Sequence, residues 1–112
     1  MRTFHGKRTE AGMVVAVEAG GIERPLALRL DLRNHSPTGF EVGYNGSGPA
    51  QLALAMCATV VGDARAQAVY QRFKESVVAQ IHAPEWWMDE VAVRLVIEDI
   101  ERANSTGGLN DA

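Results

Sequence analysis

Asn45-Gly46-Ser47-Gly48-Pro49 stands between a mixed stretch and a long apolar one. Proline fits a first helical turn, because its missing N–H would have no intrahelical partner there. The run therefore reads as a loop entering a helix, with Ser47 or Gly48 as the N-cap. The first N–H groups of a helix lack partners, and the helix dipole adds partial positive charge. Glycines let a ligand approach that backbone closely, and the combination favours an anion, often a phosphate. Arg33 and His35, just upstream, add charge of the right sign. Phe40 and Tyr44 offer rings on which a nucleobase can stack, for ~1–3 kcal/mol each. The expected ligand-binding set is thus Arg33, His35, Phe40, Tyr44, Asn45, Gly46, Ser47 and Gly48. On this reading Gly48→Ala weakens binding without unfolding the chain.

Known phosphate motifs do not fit. No lysine follows Gly48, as a Walker loop requires, and Gly43, Gly46 and Gly48 lack the dinucleotide spacing. A nucleophile elbow around Ser47 would need glycines where Asn45 and Pro49 stand. His5, His35 and His82 are scattered, with no i, i+4 pair, and Glu98, Asp99 and Glu101 read as a solvated helix face. Catalytic residues, metal ligands and cofactors are therefore not expected, and a non-enzymatic binding domain is. An ordinary strand-to-helix turn is the competing reading of the loop.

Trp86 and Trp87 are adjacent, so in an extended segment they point to opposite sides. One is expected in the core. The other suits an interface, where tryptophan is enriched. Residues 49–112 carry five basic against nine acidic residues, whereas residues 1–48 carry six against five. The acidic half and the tryptophans define a rival expectation, a protein-interaction or inhibitor module that meets a basic partner.

Positioning these residues takes strands first and helices second, the α+β pattern. Arg2 to Thr9 and Met13 to Val17 read as strands joined at Glu10-Ala11-Gly12. After Ala19-Gly20-Gly21, Ile22 to Leu32 reads as a third, with Leu26, Leu28, Leu30 and Leu32 alternating and Pro25 on an edge. Residues 40–44 form a short further strand. Ala50 to Val61 is an apolar, buried helix. A second runs from Ala64 to Ile81, with Ala66, Val69, Tyr70, Phe73, Val77 and Ile81 on one stripe, and Pro84 ends it. Asp89 caps a third helix to Ala103. The expected architecture is an N-terminal antiparallel meander of about three to four strands followed by two to three packed helices. It forms one domain over 1–103, with a disordered tail over 104–112. An exposed first strand suits edge-to-edge pairing in a homo-oligomer.

Composition narrows the classes. The chain has 112 residues, enough for one core, and 46% are apolar. A net charge of −3 offers no basic footprint for generic nucleic-acid binding. No apolar run reaches the ~18 residues of a membrane span, and the N-terminus lacks a signal-peptide core. Cys57 stands alone, which excludes an intramolecular disulfide and a thiolate zinc site and fits a reducing, cytoplasmic setting.

The stretch His35-Ser36-Pro37-Thr38-Gly39-Phe40-Glu41-Val42-Gly43-Tyr44-Asn45-Gly46-Ser47-Gly48-Pro49-Ala50-Gln51-Leu52-Ala53-Leu54-Ala55 resembles the signature of domain-of-unknown-function family 6166. Phe4-His5-Gly6-Lys7-Arg8-Thr9 and Tyr70-Gln71-Arg72-Phe73-Lys74 match that family as well, so the resemblance covers about residues 5–100. It departs at Val42, where the family usually has tryptophan. The resemblance implies a small domain of bacterial cells and their phages. It extends the ligand reading to a counter-defence protein that sequesters a nucleotide signal in the bacterial host cell.

Overall fold

The computed structural model describes residues 1–111, with side chains described through Ser105. β1 (Thr3–Thr9) and β2 (Gly12–Ala19) form a hairpin in register from Thr3↔Glu18 to Thr9↔Gly12. β3 (Ile22–Pro25) pairs with the end of β2, and β4 (Glu85–Asp89) pairs with β1. All pairings are antiparallel, in the order β3-β2-β1-β4. The helices are α1 (Ser47–Val61), α2 (Asp63–Ser76) and α3 (Glu90–Asp111), with a 3-10 turn at Val78–Gln80. The fold is α+β. The tail expected over 104–112 lies, from residue 106 on, outside the residues whose side chains are described.

Period-2 alternation sorts the sheet. Phe4, Gly6, Met13, Val15 and Trp86 face the helices and are buried. His5, Lys7, Val14 and Trp87 alternate with them and face away, so one side of the sheet carries no helix. α1 is buried almost throughout, as an all-round apolar helix must be, and packs against α2 and α3.

Four expectations need correction. The third strand stops at Pro25 instead of Leu32. The Leu26 N–H still reaches Val15 O (3.0 Å), but the chain then turns, with Arg29 in the left-handed region at φ 58°. Its leucines alternate without lying in a sheet: Leu26 is buried, while Leu30 is exposed. Residues 40–44 form only one bridge, Met13↔Phe40. The fourth strand is β4, built from the tryptophan segment. The first strand is interior, so the sheet's free edges belong to β3 and β4. The second helix ends at Ser76: Val77 leaves helical geometry, a 3-10 turn follows, and the Val78 carbonyl there accepts the Gly43 N–H (3.1 Å).

Candidate functional site

α1 begins one residue earlier than its sequence cap: Gly46 is the N-cap, and Ser47 is the first helical residue. No side chain caps it, and its first turn holds no acidic residue. Asn45 and Ser47 are exposed. The glycines, however, admit this chain's own side chains. A Cβ on Gly46 would lie 2.4 Å from the ring of Tyr44, which is otherwise half exposed. A Cβ on Gly48 would lie 2.6 Å from Glu41 Cβ. Gly48 is buried there, and the Glu41 carboxylate accepts from the Arg8 guanidinium at 2.7 and 2.9 Å. Gly43 has a positive φ (88°) and lies against the Ile81 carbonyl. Gly48→Ala therefore disturbs packing, contrary to the expectation that it leaves the fold alone.

The remaining predicted ligand residues are spread out. Phe40 is buried and lines a shallow apolar groove of about 260 Å³ with Met13, Leu26 and Leu28. That groove flanks β2 and does not include the glycine loop. Arg33 is exposed. His35 is half-buried, its Nε2 2.7 Å from the Tyr70 hydroxyl. Burial, with Arg33 and Lys74 nearby, holds its pKa below the ordinary value.

Gln51, passed over in the sequence reading, organises this region. It is fully buried in α1 and makes four hydrogen bonds. Oε1 accepts from the His35 and Ser36 N–H groups (2.7 and 3.0 Å). Nε2 donates to the Leu28 and Arg33 carbonyls (2.6 and 3.0 Å). One side chain thus satisfies the backbone of an irregular loop that has no ladder to join. The legible signal was a lone amide in an otherwise apolar helix.

On the open face of the sheet, His5 stands between two carboxylates. Nε2 lies 2.6 Å from Glu85 and Nδ1 3.0 Å from Glu23. Both raise its pKa, Glu85 more strongly, and favour the imidazolium. With both nitrogens committed, His5 has no lone pair for base chemistry. Trp87 stacks on its ring at 4.8 Å and 7° and is 61% exposed. Trp86 points the other way and is 7% exposed, its indole lying flat on Gly6. Its N–H has no partner among the described residues. Of the two predicted interface residues, only Trp87 presents its ring to solvent.

Burial pushes the Cys57 thiol well above its ordinary range, so it is an inert core residue. Among the described residues no cluster of histidine, cysteine and carboxylates is placed to hold a metal ion. No helix there is long and apolar enough to cross a membrane.

No match emerged among curated proteins or among solved structures. A family model does match residues 4–99, which take in all of the sheet but Thr3 and most of the helical layer. The chain belongs to the family of unknown function DUF6166.

Proposed function

We propose that this domain is a protein-interaction module that binds its partner through the helix-free face of the sheet, in the cytoplasm of a bacterial host. The observation that carries this reading is Trp87. A tryptophan buries up to ~150–250 Å² on contact. Here 61% of the residue remains exposed, on a rigid strand, with its ring orientation held by the stack on His5. Preorganised aromatic anchors of this kind dominate interface energies. Co-purification from bacterial lysate tests it, with wild-type and Trp87→Ala chains side by side. The expected result is one partner held in stoichiometric amount by the wild type and lost by the variant. Equal capture by both overturns the reading.

A specific observation also supports a second reading, a phosphate-bearing ligand such as a nucleotide signal sequestered in phage counter-defence. The N-terminus of α1 has no side-chain cap and a neutral first turn, and Ser47 is exposed beside it. A ligand at ~100 times its Kd stabilises a fold by about 2.7 kcal/mol. In a domain of this size that raises Tm by roughly 10 °C or more. A thermal-shift panel of mononucleotides, cyclic oligonucleotides, ADP-ribose derivatives and inorganic phosphate separates the readings. One selective shift favours the ligand, and a flat panel removes it.

A further inference from the structure

We propose that the free edge of β4 takes an extended, basic segment of a partner protein as a fifth strand. This rests on the interaction reading and specifies its partner. Antiparallel ladders alternate, so each strand residue turns its N–H and C=O either to one neighbour or to the other. The Arg8 N–H donates to Pro84 O (2.7 Å) and the Glu90 N–H to Arg2 O (2.9 Å). Trp86 and Met88 lie between, opposite Gly6 and Phe4. The even-numbered residues therefore serve β1, and Glu85 and Trp87 turn their backbone groups to the open edge. No backbone hydrogen bond from another described residue reaches those groups. The opposite edge is guarded differently: β3 has four residues and ends on Pro25. β4 carries neither proline nor lysine.

Charge selects the occupant. Glu85, Trp87 and Asp89 share the outward side of β4. On the same sheet face stand Glu18 and Glu23, against Lys7 and His5. The balance is negative, and a partner strand alternating lysine or arginine with apolar residues complements it. A cationic stem across from Trp87 also gains the ring's attraction for cations. A second copy of this chain fits less well. The register that pairs all of β4 with its symmetry mate turns about Trp87 and sets Glu85 opposite Asp89 at both ends.

The probe is a capped eight-residue peptide of alternating lysine and valine, added to the full chain. Binding is read by fluorescence anisotropy and by amide hydrogen exchange. The expected result is binding that weakens with added salt, with slowed exchange at the Glu85 and Trp87 amides. A glutamate–valine peptide binds at least about tenfold more weakly, and so does the lysine peptide N-methylated at alternate residues. N-methylation removes backbone donors and keeps the charge. Equal binding by the methylated peptide therefore overturns strand addition, while the Trp87→Ala capture result judges the broader reading independently. Trp87→Pro is a second variant. Its lost N–H faces the open edge, so β1 keeps its ladder and the circular dichroism is unchanged. It loses the peptide more completely than Trp87→Ala does. Unaltered exchange at both amides under saturating peptide overturns the proposal. So does a concentration-dependent dimer in sedimentation that protects the same two amides without peptide.

Discussion

His35 and His5 sit in regions that spend similar residues in opposite ways. His35 lies in the loop over α1, with its backbone held by Gln51 and its ring by Tyr70. Around it the glycines are filled by Tyr44, Glu41 and the Ile81 carbonyl. The Gln51 amide, the His35 ring and the Glu41 carboxylate are engaged within the fold there, while Asn45 and Ser47 stay exposed. His5 lies on the sheet's open face, where Glu85 and Glu23 raise its pKa beside an exposed tryptophan. Beside it the edge strand β4 turns backbone groups outward that no other described residue's backbone reaches. The richest motif in the sequence thus closes a loop onto a helix, while the exposed tryptophan and the edge strand lie outside that stretch. A motif marks where many constraints meet, and those constraints are as often internal as external.

The largest effect that sharpens this contrast is expected at Gln51. Gln51→Leu keeps the volume and orphans two carbonyls and two N–H groups, for a loss of about 3–5 kcal/mol in urea unfolding. A loss under about 1 kcal/mol would show that the loop does not depend on its clamp. Gly48→Ala comes next. Its new methyl meets Glu41 Cβ, and overpacking of that kind costs about 1–3 kcal/mol. Unchanged stability would return that glycine to the ligand reading.

The histidines differ in sign. The His5 pKa is raised in the fold, so its contribution is complete below the ordinary 6.5 and is lost as pH rises through the folded midpoint. The His35 pKa is lowered, so the fold loses stability as pH falls from 6.5 toward its folded midpoint. NMR titration is expected to place the two midpoints on opposite sides of 6.5. His5→Gln removes the decline above that value, and His35→Gln removes the decline below it. Midpoints on the same side would erase the contrast between the regions. The smallest effect on stability is that of Trp87→Ala, under about 1 kcal/mol, because the ring is largely in water already. A larger loss in chemical denaturation would make Trp87 part of the fold instead of a free contact.

Local rules made much of the architecture legible. A run rich in β-branched residues marks β2, an all-round apolar run marks buried α1, and adjacent tryptophans in a strand must face opposite ways. The same rules failed at Leu26–Leu32, where an alternating pattern lies in a loop. What decides that segment is Gln51, reaching back 23 residues to the Leu28 carbonyl. The candidate site was less legible still. Its tryptophan was visible, but neither its histidine nor its carboxylates stood out, since Glu23 and Glu85 lie 18 and 80 residues from His5.

The sequence by itself determined the α+β class, the hairpin, the buried helix and the opposed tryptophans. All of these follow from periodicity and turn chemistry among near neighbours. Only the tertiary structure decided which tryptophan is buried, what fills the space beside each glycine, and which strand forms the open edge. Those outcomes depend on pairings between distant residues, whose energies exist only once the chain has brought them together.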